Sequence, residues 1–177
     1  MRKLTSFLAA GVIALSCSVA MAASMSALTS MDTQVAKAAN TGYPIVLTGD
    51  SNTSYKIEGS KVTILRPGDY YLAAAAQVGG NATGDIFMWM RVNGADVPDS
   101  NSVQTIPSPK FTAVLVAQTG MTFKKGDVVE FIYAATAPGL GLIASKPAGM
   151  PAVPAIIFTG RPRIWTPWRP STRRSIP

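Results

Sequence analysis

From Pro44 onward the chain is written in short runs of alternating character. Asp85 to Val92 sets Ile86, Met88, Met90 and Val92 on one face and Phe87, Trp89 and Arg91 on the other, the period-two pattern of a β-strand. Ile45–Leu47, Tyr55–Ile57, Lys61–Leu65, Tyr70–Val78, Phe111–Gln118, Asp127–Ala134, Leu140–Ala144 and Val153–Thr159 are further strand-like runs. Turn-forming clusters separate them: Gly49-Asp50-Ser51-Asn52, Glu58-Gly59-Ser60, Pro67-Gly68-Asp69, Gly79-Gly80-Asn81, Asn93-Gly94 and Lys124-Lys125-Gly126. The span from Pro98 to Pro109 is polar and broken by prolines, which predicts a loop. The pattern predicts about eight to ten short strands, turns about every 8–12 residues and no convincing helix, hence an all-β antiparallel sandwich.

Several of these strands are apolar on both sides. Asp127 to Tyr133 places Val129, Phe131 and Tyr133 on one face and Val128, Glu130 and Ile132 on the other, and Phe111–Val116 and Ile156–Phe158 are similarly two-faced. The outer faces of a monomeric sandwich are ordinarily polar. An aromatic side chain such as Phe87 or Trp89 carries on the order of 150–250 Å² of surface, which burial against another surface recovers. Two arrangements satisfy this pattern: loops and the N-terminal arm cover the outer faces within one chain, or the strands also meet a neighbouring subunit. The second makes Phe87, Trp89, Val128 and Ile132 candidates for an oligomer interface.

The ends of the chain differ from its body. Met1-Arg2-Lys3 followed by the apolar run Phe7–Leu15 and the small residues Ala20-Met21-Ala22 has the three parts of a secretory signal, so residues 1–22 are expected to be removed on export. The apolar run is too short to remain as a membrane span. Ala14-Leu15-Ser16-Cys17 loosely resembles a lipidation box, leaving cleavage after Ala22 and lipidation at Cys17 as alternatives. Residues 23–43 are rich in Ala, Ser, Thr and Met and read as a flexible arm, or as a short helical seam through Leu28, Met31, Val35 and Ala38. The domain itself is expected over 44–164, with a proline-, tryptophan- and arginine-containing tail over 165–177 that is expected to be disordered.

Charge and chemistry follow from the same division. The net charge is +7, but seven of the 16 basic residues lie in the first three positions or beyond 160, leaving nine against nine acidic residues in the body. The basicity therefore belongs to the C-terminal end, where Arg161, Arg163, Trp165, Trp168, Arg169, Arg173 and Arg174 form a candidate grip for an anionic ligand such as a glycan, alongside the plainer reading of a solvated extension. The chain has no histidine, and Cys17 is its one cysteine, so His- or Cys-dependent catalytic sets and disulfides are excluded once the signal is removed.

Four segments together resemble a known family. Ile64-Leu65-Arg66-Pro67-Gly68-Asp69-Tyr70-Tyr71-Leu72 is similar to the strand-turn-strand segment of the complement C1q and tumour-necrosis-factor-like jelly roll. Lys125-Gly126-Asp127-Val128-Val129-Glu130 is similar to the start of a late strand in that family, and Arg91–Asn101 and Pro151–Ile157 resemble segments of bacterial and phage C1q-like proteins. The resemblance spans Ile45 to Ile164. It implies two packed antiparallel sheets and a compact homotrimer, in members that are chiefly binding and assembly modules. Within it, Gly68 and Gly126 relieve backbone strain, Asp69 and Asp127 are expected to accept turn amides, and Tyr71 is expected to point inward.

The expected function is a secreted, periplasmic or surface-exposed, non-catalytic C1q-like binding or adhesion module acting as a homotrimer; the alternative is a structural component of a surface or phage-tail-like assembly. Its partners would be itself and a glycan or another surface protein, with no nucleic acid and no stable membrane span. No cofactor is expected. Asp96, Asp99 and Asn101 put three oxygen donors in one loop, a weak candidate for calcium against the plainer role of turn formers.

Overall fold

The computed structural model of the 177-residue chain describes residues 27–162. Thirteen strands follow one another: β1 (Ala27–Ser30), β2 (Gln34–Val35), β3 (Tyr43–Pro44), β4 (Tyr55–Glu58), β5 (Lys61–Ile64), β6 (Gly68–Gly80), β7 (Gly84–Val92), β8 (Ala95–Asp96), β9 (Ser102–Ile106), β10 (Thr112–Phe123), β11 (Val128–Ala135), β12 (Leu140–Leu142) and β13 (Ile156–Pro162). No helix occurs among the described residues.

The strands form two sheets, of six and seven strands, with every pairing antiparallel. Through the first sheet the main order is β1-β13-β6-β10, and through the second it is β5-β11-β7-β9. The first long strand thus pairs with the last, and the long strands β6, β7, β10 and β11 alternate between the two layers, as in a jelly roll. The all-β sandwich expected from the alternation is what the chain forms.

The core lies between the layers. β6 sends Tyr70, Leu72, Ala74, Ala76 and Val78 inward, and β7 sends Ile86, Met88 and Met90. Phe131 and Phe158 meet at 4.9 Å between ring centroids, and Tyr70 packs edge-on against Phe123 at 5.7 Å. Ala74 and Ala76 at the centre of β6 are as fully buried as the large side chains around them.

Three expectations are corrected. Over 27–43 the chain is neither a flexible arm nor a helix: β1 pairs with β13, β2 pairs with β12, and Leu28 and Ala36 are buried in the core. β2 passes so close to β12 that a side chain at Gly141 would meet the carbonyl oxygen of Gln34. The expected loop from Pro98 to Pro109 contains β9, an edge strand in which Ser102–Ile106 pair with Gly84–Met88 of β7; the prolines flank it and do not interrupt it. Tyr70, not Tyr71, points inward, and its hydroxyl donates to the carbonyl of Arg66 at 2.8 Å. The reason is the register of β6, whose even-numbered positions from Tyr70 to Val78 face the core.

Candidate functional site

The outward face of the first sheet is built by three neighbouring strands. Its middle row sets Val116 of β10 and Ile157 of β13 on either side of Ala75 of β6. The next row sets Gln118 and Thr159 about Ala73, and a third sets Gly120 and Arg161 about Tyr71. On the other side of the middle row, Val114 stands opposite Gln77. Tyr71, Val114, Val116 and Ile157 are 50%, 66%, 43% and 43% exposed, around a strip of small alanines. The result is an exposed, largely apolar surface, with hydrogen-bonding groups of Gln77, Gln118 and Thr159 around it. The Tyr71 hydroxyl donates to Oε1 of Gln118 on β10 at 2.6 Å. The two-faced alternation of Phe111–Val116 and Ile156–Phe158 is the sequence signal for this surface; the alanines between them conceal how continuous it is.

The second sheet carries the candidates named from its aromatic residues. Phe87 and Trp89 are half-buried on its outward face, where Val103 of β9, opposite Phe87, is exposed. Val128 is half-buried as well. Ile132 is fully buried within the single chain, and this corrects its place among surface contacts. Pro44 pairs with Ile132 on β11, and Gly42 lies against both Ile132 and the Trp89 ring, so the segment leading into β3 covers this part of the sheet.

Asp96 is already committed. Its Oδ1 accepts the indole N–H of Trp89 at 2.8 Å and Nε of Arg91 at 2.7 Å. The Arg91 guanidinium, and then the indole, hold the Asp96 carboxyl below the usual carboxylate range, and Asp96 in turn raises Arg91. Asp99 occupies a left-handed turn position with φ 60°, and both Asp99 and Asn101 are exposed. Between them Ser100 is buried; its hydroxyl accepts Met90 N–H at 3.0 Å and donates to the Val97 carbonyl at 2.8 Å. This serine anchors the loop, a role hidden in the sequence among other turn residues. No group of three His, Cys, Asp or Glu side chains able to hold a metal occurs among the described residues.

The turn carboxylates divide. Asp127 accepts the Lys124 amide at 2.7 Å and the Asn93 side-chain amide at 3.0 Å, and these bonds, Asn93 first, hold its carboxyl below the ordinary range. Asp69 instead accepts the hydroxyl of Thr122, its register partner on the neighbouring strand β10. Of the basic candidates, Arg161 stands in β13 opposite Tyr71, while Arg163, Trp165, Trp168, Arg169, Arg173 and Arg174 lie outside the described residues, as do the expected signal segment and Cys17. No helix of the described residues is long and apolar enough to cross a membrane.

Neither a family model nor a curated protein sequence matches the chain. Solved structures similar to it include murine APRIL, at 15% identity and a TM-score of 0.46 over 77% of this chain and 97% of that one. The globular domain of zebrafish complement 1qA protein is similar at 19% identity and a TM-score of 0.45, over 77% of this chain and 96% of that one.

Proposed function

We propose that the protein is an exported, non-catalytic binding module that works as a homotrimer, its subunits meeting through the outward face of β6, β10 and β13. The observation that carries this reading is the apolar strip of Tyr71, Val114, Val116 and Ile157 laid in register about Ala73 and Ala75. Completely burying a valine or isoleucine side chain is worth about 1.5–3 kcal/mol, so a face of this kind favours association. Its central alanines, Ala73 and Ala75, suit the close approach of another sheet face. The number three comes from the resemblance of four sequence segments to C1q-like proteins, and so does the role of a binding module outside the cell.

Sedimentation of the chain lacking residues 1–22 tests the assembly. The expected result is a species of three-fold mass at micromolar concentration, with Val116→Glu giving a folded monomer of unchanged circular dichroism. A monomeric wild-type chain under the same conditions overturns it.

A further inference from the structure

At the end of the sandwich where β2, β6, β10 and β12 come together there is a cleft of about 490 Å³. Its floor is backbone: Gly80 and Gly139 approach so closely that a side chain on Gly80 would strike the Gly139 carbonyl. Val35 and Ile143 give it an apolar wall. Its polar groups are Lys110, Asn81, Thr112 and Thr33, and no carboxylate lines it.

Lys110 is unusual in its backbone as well as its setting. Four non-glycine residues among the described ones have positive φ: Asn40, Asn93, Asp99 and Lys110. The first three are of the types that tolerate left-handed geometry; lysine, at φ 66°, is not. It follows Pro109 in a turn closed by the Phe111 amide on the Ser108 carbonyl at 3.2 Å, a position ordinarily given to glycine or asparagine. The Lys110 amide also donates to the Gly80 carbonyl at 2.8 Å, which fixes the turn onto the cleft floor. Strain of this kind gathers where a side chain must be presented to a ligand. Among the described residues the ammonium of Lys110 makes no ion pair, and the side chains of Asn81 and Thr112 make no hydrogen bond, whereas Thr33 is held by the Ala144 amide at 3.0 Å.

We propose that this cleft binds an acidic saccharide: the carboxylate lies on Lys110, ring hydroxyls lie on Asn81 and Thr112, and the C–H face of the sugar rests on Val35 and Ile143. One ammonium without a second cation matches a monoanion better than a phosphate, which favours guanidinium forks or several donors. Asn and Thr side chains both donate and accept, as sugar hydroxyls do. The volume falls within the range of small-molecule sites, about 300–1,000 Å³. The inference rests on the reading of the protein as a binding module, but not on its self-association, because every lining residue belongs to one chain.

Calorimetric titration of the folded chain with sodium glucuronate tests it, with glucose, sodium acetate and sodium phosphate as separate arms. Glucuronate is expected to bind at least about tenfold more tightly than any of the other three. Lys110→Asn keeps a residue suited to the left-handed turn while removing the charge, and is expected to weaken glucuronate about tenfold or more. Thr112→Val, at an exposed position, is expected to weaken it several-fold, and Lys125→Asn, in another turn, to leave it unchanged. No saturation by glucuronate up to about 10 mM, equal binding of acetate or phosphate, or wild-type affinity in both Lys110→Asn and Thr112→Val overturns the proposal. Sedimentation of the same samples separates the two readings: a trimer that ignores glucuronate overturns the cleft alone, and a monomer that binds it overturns the assembly alone.

Discussion

The indole N–H of Trp89 donates to Oδ1 of Asp96 at 2.8 Å, and Arg91, two residues along the same face of β7, reaches the same oxygen. Asp96 stands opposite Arg91 across the Asn93-Gly94 turn, so the hairpin itself delivers the carboxylate to both donors. An oxygen so engaged positions Trp89 and does not serve as an open metal ligand. Asp96→Ala is expected to shift the Trp89 indole N–H resonance while costing less than about 1 kcal/mol of stability, the range of exposed pairs. Millimolar calcium is expected to leave the melting temperature of the wild type unchanged, and a rise that Asp96→Ala abolishes would restore the metal reading. Because the Asp96 carboxyl is held low, its contribution is present above the ordinary aspartate pKa of about 3.9 and is lost as the pH falls through the lowered value.

Leu28 separates a flexible arm from a structural strand. It is buried in the core, whereas Met31, three residues on, is 48% exposed. Leu28→Ala is expected to destabilise the domain by about 2–5 kcal/mol, and Met31→Ala by less than about 1 kcal/mol, in urea unfolding followed by circular dichroism. Equal, small effects would mean that β1 does not belong to the cooperative unit.

What the sequence reveals and what it hides divide along physical lines. The faces of β7 and β11 are plain in the alternation, because large residues fill both sides and the period is unbroken. β1 and β2 are hidden because they are short and contain small or polar residues that owe their strand geometry to partners over 100 residues away. β9 is hidden by Pro98, Pro107 and Pro109, although Val103 and Thr105 alternate with Gln104 and Ile106. The outward apolar face of the first sheet is legible only in part. Valines on β10 announce it, but Ala73 and Ala75 carry no hydrophobic signal strong enough to show that β10 and β13 flank one strand. The Lys110 cleft is not legible at all, since its walls come from four separate stretches joined by topology.

Gly141 measures how tightly β2 is clamped. Its backbone lies against β2, and a Cβ there would come within 2.7 Å of the Val35 Cα as well as against the Gln34 carbonyl. Gly141→Ala is expected to cost about 1–3 kcal/mol, as overpacking does, and to force β2 away. The amide of Ala36, which donates to the Leu140 carbonyl at 2.8 Å, should then exchange with solvent much faster, while amides at the centre of β6 change little relative to it. Uniform acceleration across both would mean that β2 does not open separately.

Tyr133 provides a pH signature at the alkaline end. It is only 3% exposed, and burial first, then the neighbouring Tyr43 hydroxyl, pushes its pKa up to about 12. The two rings lie 5.6 Å apart between centroids. In the unfolded chain a tyrosine ionises near pH 10, so between about pH 10 and 12 the unfolded state sheds a proton that the folded state keeps. Fewer protons on the unfolded chain means that stability falls as the pH rises through this window, and that this group has no effect below it. Tyr133→Phe retains the ring and removes the ionisation. Urea midpoints measured from pH 8 to 12 are expected to fall less steeply above pH 10 in Tyr133→Phe than in the wild type. Parallel curves for the two would show that Tyr133 ionises alike in both states, and hence that water reaches its hydroxyl in the folded protein.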